Sequence, residues 1–247
     1  MEEVKQNMPP RKEKSRPKLS YFNMRGRAEA ARLLLTDQDV PFDDHRVTSM
    51  DEWQHLQAEL PFGYLPRYVD VSVNLHQSQA ILRFLARKHG LLPNSATGQV
   101  AFDEAQEALA EAQEDLWRFA WHKNYKDDPD RYASGRLSQI LGNLQSLFSR
   151  NEKAYWIGDS ISHVDCLAFV LLDELRAFFP ETLSRFEGLA EFHDRFQNRP
   201  RIRSYVDSRR RPAVFGMGLH GPKIDPAARL EKGEVFENPW TEPVRLG

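Results

Sequence analysis

The run YFNMRGRAEAARLLL, residues 21–35, decides the fold. Tyr21 closes a short strand candidate over residues 19–22, and a Met24-Arg25-Gly26-Arg27 loop follows. Residues 28–36 then read as a helix with Ala31, Leu34 and Leu35 on one face. Working outward, residues 42–47 alternate weakly and predict a second strand. Pro61, Gly63 and Pro66 punctuate an irregular stretch, after which residues 67–70 and 73–76 are two more short strand candidates. Ser78 is placed to cap a helix that carries Ala80, Ile81, Phe84 and Leu85 and ends near Gly90. The order strand, helix, strand, loop, strand, strand, helix predicts a small α/β domain.

Beyond a Pro- and Ser-bearing connection at residues 91–98, the pattern turns helical throughout. Phe102, Ala105, Leu109, Ala112 and Leu116 recur at spacings of three and four, an amphipathic stripe. Leu137, Ile140, Leu141, Leu144, Leu147 and Phe148 make a second helix, and residues 162–178 are apolar on nearly all sides, as a central buried helix requires. Ser162 and Asp165 in front of that run form a capping box with Asp in place of Glu, a folding device worth about 1 kcal/mol. Leu189, Phe192 and Phe196 give another stripe, and Pro200 opens a last helix. The expected division is a tail at 1–17, an α/β domain at 18–91, a linker at 92–99, an all-helical domain at 100–211 and an extension at 212–247. In that extension Phe215, Phe236 and Trp240 stand among prolines and glycines, a composition that fits a docking segment. The run Arg209-Arg210-Arg211 is expected to be a solvated helix end.

At 247 residues with a formal charge of -2, the chain carries no polyanion-binding signal, and no nucleic-acid partner is expected. No stretch is long and apolar enough to cross a bilayer. The polar N-terminus lacks the apolar core of a secretory signal. The single cysteine, Cys166, fits a reducing, cytoplasmic setting and excludes an internal disulfide, a CxxC pair and a cysteine-rich zinc site. The eight histidines show no metal-ligand spacing, so no metal is expected.

Four strings are more specific than these patterns. YFNMRGRAEAARLLL, LPFGYLPRYVD (60–70) and LHQSQAILRFLARKHGL (75–91) resemble the glutathione-binding domain of cytosolic glutathione S-transferases. GDSISHVD (158–165) resembles the helix-start motif of their helical domain. The resemblance is to the tyrosine-type classes, sigma first and pi second, and it excludes both tails. It implies a thioredoxin-like N-terminal domain followed by a C-terminal helical bundle.

Residue by residue, the resemblance assigns Tyr21 as the phenol that holds the glutathione sulfur as a thiolate, with Arg27 supporting its hydroxyl or the tripeptide's glycine end. Leu65-Pro66 matches the family's cis proline, where the Leu65 backbone pairs with the cysteinyl unit. Gln77 and Ser78 match the helix start that takes the γ-glutamyl carboxylate. Trp53 matches a tryptophan whose N–H reaches the glycine carboxylate. Asp115 matches an acid that reaches across a homodimer interface to the γ-glutamyl amine. Two positions depart from the pattern. Gln57 stands where the sigma pattern has lysine, and Tyr64 stands where Lys or Gln is usual. Both remain within the expected glutathione contacts. Met24, Trp117, Phe119 and Trp121 are candidates for an apolar second-substrate pocket, with core packing as the competing reading for each.

The implied activity is conjugation of glutathione, the co-substrate, to a small hydrophobic electrophile, or glutathione-dependent isomerisation or peroxide reduction. The competing reading is a non-catalytic member of the same fold, a scaffolding subunit docked to a protein partner through its extensions. A third is a carrier of hydrophobic ligands.

Overall fold

The computed structural model describes residues 16–121, 128–151 and 153–215, with the side chain of Trp121 outside that set. In the first half, β1 (Lys18–Phe22) is followed by a 3-10 turn (Gly26–Ala28) and α1 (Glu29–Asp37). β2 (Asp43–Val47), α2 (Met50–Glu59), β3 (Arg67–Val69), β4 (Asn74–His76) and α3 (Ser78–Lys88) complete this half. The sheet order is β2-β1-β3-β4, with β2 parallel to β1 and β3 and β4 antiparallel to their neighbours. This is the thioredoxin-like arrangement. It places the C-terminal end of the inner strand β1, and with it Tyr21, at the start of the following loop.

The stretch between β2 and β3 is not all irregular: it contains α2. Ser49 caps that helix by accepting the Glu52 N–H at 3.2 Å, and the Glu52 carboxylate accepts the Thr48 N–H at 3.1 Å. The Ser49-x-x-Glu52 signal lies in the sequence. Its weakness is that α2 has no buried residue, so hydrophobic periodicity does not reveal it.

The second half holds α4 (Ala96–Trp121), α5 (Pro129–Tyr132), α6 (Ser138–Phe148), α7 (His163–Phe178), α8 (Pro180–Leu183), α9 (Glu187–Gln197) and α10 (Pro200–Val206). α4 starts at Ala96, inside the stretch expected as a linker. α7 is buried along nearly its whole length and packs against α1, α4 and α9, so it joins the two halves of the core. Its capping box forms as expected: Asp165 accepts the Ser162 N–H at 2.8 Å, and Ser162 Oγ accepts the Val164 N–H at 3.2 Å. Cys166 lies buried and free in this helix.

Two expectations about the C-terminus are corrected. Arg211 is not solvated; it is 7 % exposed because it inserts between the carboxylates of Glu29 and Asp173. Residues 212–215 are not part of a loose tail, since Phe215 is buried against Phe178. Phe236, Trp240 and the rest of the expected extension lie outside the described residues, as do residues 1–15 of the N-terminal tail.

Candidate active site

β1 delivers Tyr21 into the core, where it is 7 % exposed. Its hydroxyl oxygen accepts the backbone N–H of Arg27 at 3.2 Å. Gly26 makes that approach possible. Its φ is +41°, and a Cβ there would lie 2.7 Å from the Tyr21 hydroxyl oxygen. Burial pushes the Tyr21 phenol pKa up, against the Arg27 N–H and the positive charges of Arg27 and Arg32, while the carboxylate of Glu174 adds to the rise. The phenol therefore keeps its proton at neutral pH. With its oxygen already accepting one N–H, that O–H is oriented as a donor.

Arg27 meets the Tyr21 hydroxyl through its backbone N–H, not through its side chain. The side chain points the other way, to Glu114 at 2.6 Å and over the Trp117 ring at 4.8 Å. Arg27 acts on the tyrosine through its backbone N–H, which the residue's identity does not reveal.

The expected contacts of the tripeptide lie on three elements. On α2, Trp53 is half-buried and meets Phe22 edge-on at 5.0 Å. Gln57 is exposed and donates to the Gly63 carbonyl at 3.3 Å, so it is drawn to the following loop. In that loop Tyr64 is 71 % exposed and Leu65 is buried, with the Leu65-Pro66 peptide cis as expected. At the start of α3, Gln77 has φ +72° and ψ 115°, a conformation that L residues seldom adopt and that clusters at functional sites. Gln77, not Ser78, occupies the N-cap position. Ser78 is the first helical residue and is buried, and among the described residues no side chain caps this end, which leaves its N–H groups open to an anion.

On α4, Asp115 already accepts bonds within its own chain, from Tyr132 Oη at 3.1 Å and Arg136 Nε at 3.0 Å. Of the pocket candidates, Met24 is half-buried in the loop after Tyr21. Trp117 is only 5 % exposed, and its Nε1–H is given to Glu174 at 2.9 Å, so it presents little surface. Phe119, two residues on and thus on the other side of the helix, stacks on Tyr132 at 3.7 Å. Trp117 is thus packed in the core, whereas Phe119 is half-buried against Tyr132. The side chain of Trp121 lies outside the described residues.

The sequence reading missed a buried ion cluster behind the Tyr21 loop. Glu29, with no exposed surface, accepts bonds from Arg211 Nε at 2.8 Å, Tyr205 Oη at 3.2 Å and Arg32 Nη1 at 3.3 Å. Asp173 takes Arg211 Nη2 at 2.7 Å and Arg25 Nη1 at 2.9 Å. Burial alone would raise the Asp173 pKa, but Arg211, His193 and Arg25 together hold it well below the usual carboxylate range. Among the described residues no group of three or more His, Cys, Asp or Glu could hold a metal, and no helix is long and apolar enough to cross a membrane.

Comparison with known proteins gives this geometry a context. Residues 17–87 match the family model described as Glutathione S-transferase, N-terminal domain, and residues 111–209 match the one described as Glutathione S-transferase, C-terminal domain. The chain is 35 % identical over 205 residues to Glutathione S-transferase P of Caenorhabditis elegans, covering 81 % of this chain and 98 % of the relative. It is 29 % identical over 219 residues to human Glutathione S-transferase Mu 2, covering 83 % and 98 %. Among solved structures, the Pi-class glutathione S-transferase of Onchocerca volvulus superimposes with a TM-score of 0.77 at 31 % identity, over 83 % of this chain and 99 % of that one. The prostaglandin synthase D of Nilaparvata lugens shares the fold at a TM-score of 0.70 and 21 % identity, over 78 % and 98 %.

Proposed function

The chain belongs to the glutathione S-transferase family, and on that premise we propose that Tyr21 is the residue through which it activates glutathione. The enzyme is a glutathione transferase. The observation that carries the role of Tyr21 is the setting of its hydroxyl: buried, protonated, and accepting the Arg27 N–H so that its own O–H is free to donate. A free thiol titrates near 8.5, so only a few per cent is thiolate at neutral pH. A phenol hydrogen bond to the sulfur favours the anion, and each unit of pKa lowering amounts to about 1.4 kcal/mol. The thiol proton passes to solvent, and the sulfur lone pair forms the bond to the electrophilic carbon. In a displacement the leaving group departs with its bonding pair; in an addition the π pair moves to the neighbouring atom, which takes a proton from solvent. Tyr21 stays a phenol throughout. No covalent enzyme intermediate is involved.

The tripeptide then lies along the loop and helix starts that face Tyr21. The unfilled N–H groups at the head of α3, with Gln77 and Ser78, take the γ-glutamyl carboxylate. The Leu65 backbone pairs with the cysteinyl unit as an added strand. Trp53 and Gln57 on α2, with the Arg27 side chain and the exposed Tyr64, bound the glycine end. Asp115 of a second copy in a homodimer reaches the γ-glutamyl amine. A carboxylate has about four acceptor sites, so the bonds from Tyr132 and Arg136 leave room. In this scheme residues 18–91 bind glutathione and residues 100–211 form the helical side of the cleft. The second substrate is a small hydrophobic electrophile that packs against Met24. The buried, free Cys166 fits a reducing cytoplasm.

Replacing Tyr21 by Phe tests the assignment. Turnover should fall about 10- to 100-fold, while glutathione affinity by calorimetry changes less than about threefold. Equal losses in both would contradict it.

A further inference from the structure

The loop that holds Tyr21 is gripped from two sides. From α1, Arg32 Nη1 donates to the carbonyl oxygens of Met24 at 2.8 Å and Arg25 at 3.3 Å. From beyond the last helix, residues 211–215 lie against Arg25. The Arg25 backbone N–H donates to the Val214 carbonyl at 2.9 Å, and its Nε donates to the Pro212 carbonyl at 2.9 Å. Its guanidinium lies 3.9 Å over the Phe215 ring, which is itself buried against Phe178 at 5.2 Å. Just before this segment, Arg46 of β2 donates to the Arg210 carbonyl. Arg211 then enters the Glu29–Asp173 cluster, where Asp173 also holds Arg25.

We propose that residues 211–215 are a positioning strap for the thiolate site, and that Phe215 and Arg25 act through the Arg27 N–H on the Tyr21 hydroxyl. Arg25 is 2 % exposed and adjoins Gly26, whose missing Cβ lets the hydroxyl in. Peptide units are planar and stiff, so a shift of Arg25 reaches the Arg27 N–H within two residues. That N–H donates at 3.2 Å, the long end of the usual range, so a few tenths of an ångström suffice to weaken it. A weakened bond leaves the phenol oxygen less well held, and its O–H less well aimed at the sulfur. Neither Phe215 nor the Arg25 guanidinium needs to touch glutathione for this.

The proposal rests on the reading of Tyr21 as the thiolate's donor, and the test separates the two. In the full-length chain, Phe215→Ala and Arg25→Lys are compared with wild type and with Tyr21→Phe. The apparent pKa of bound glutathione is read from thiolate absorbance against pH, alongside the pH profile of kcat/KM. Both strap variants should raise that pKa by about half a unit and cost about threefold in kcat/KM below it, with the loss disappearing above it and KM for glutathione within about twofold. The double variant should do little more than either single one, and Phe215→Leu should keep most of the wild-type pKa and kcat/KM. An unchanged pH profile with only a lowered melting temperature overturns the proposal, because the strap then merely packs. Should Phe215→Ala fail to fold, Arg25→Lys carries the same measurement. If Tyr21→Phe leaves the bound thiol's pKa at the wild-type value, the tyrosine reading itself fails. If it raises the pKa and the strap variants do not, only the strap fails.

Discussion

Arg211 and Glu29, 182 positions apart in sequence, meet at 2.8 Å in a pair that is almost wholly buried. The contact ties the last described turns of the chain to the first helix, directly behind the loop that carries the tyrosine. Removing one partner of such a pair leaves the other charged and desolvated. Arg211→Ala should therefore cost about 3–5 kcal/mol in urea unfolding. A loss under about 1 kcal/mol, as for a surface arginine, would show that water enters the cluster freely.

Gly26 leaves room for the Tyr21 hydroxyl. Gly26→Ala places a methyl group against the Tyr21 hydroxyl in a backbone conformation that L residues seldom adopt. The variant should lose about 1–3 kcal/mol of stability and at least about tenfold in kcat. Crystallography would show the tyrosine ring displaced. A variant with wild-type turnover would mean that the hydroxyl's position is not critical.

Arg27 touches the tyrosine through its main chain, so its side chain is less critical than its place in the motif implies. Arg27→Ala keeps the N–H and should lower kcat by less than about fivefold, well short of the effect of Tyr21→Phe. Its glutathione KM should change more than its kcat. A kcat loss as large as that of Tyr21→Phe would return the role to the guanidinium.

His163 is buried at the head of α7, stacked on Phe102, with Nε2 2.7 Å from Gln106 Oε1. Burial lowers its pKa to about 4, with the positive charge of Arg83 acting in the same direction. Its ordinary value is near 6.5. Between those values the unfolded chain takes up a proton that the folded chain refuses, so the stability contributed by the neutral ring is lost as pH falls from about 6.5 to 4. The full effect is up to about 3 kcal/mol. Two residues on, burial raises the Asp165 pKa to about 6 despite hydrogen bonds from Trp156 and Ser162, which slopes the opposite way between about 4 and 6. The test is therefore a difference: unfolding free energy of wild type minus His163→Gln, measured from pH 7 to pH 4. That difference should shrink as pH falls, and a flat line would remove His163 from the pH dependence.

Much of the fold was legible in the one-dimensional pattern. The strands and helices with one apolar face, the buried helix α7 and its capping box were all readable, because each rests on local spacing and local hydrogen bonds. α2 was not readable in this way, since it buries nothing and its only sign was the Ser49–Glu52 cap. The relatives reported above carry P and Mu names and the superimposed structure is Pi-class, so of the expected order, sigma first and pi second, the comparisons bear on the pi side. Of the site, the sequence named candidate residues but not the contacts they make. It gave no sign that Arg27 serves Tyr21 by its N–H, or that Trp117 gives its own N–H to a buried glutamate.

By itself, then, the sequence determined the family and most of the succession of elements, because these follow from periodicity and from strings of residues that act locally. Only the tertiary structure decided what surrounds Tyr21. Read in one dimension, Arg211 belongs to a solvated basic run and Phe215 to a tail, and nothing marks Glu29, Arg25 or Asp173 as their partners. They become one buried assembly because folding brings α1, α7 and residues 211–215 together, and a charge removed from water must find its partner wherever the chain has placed one.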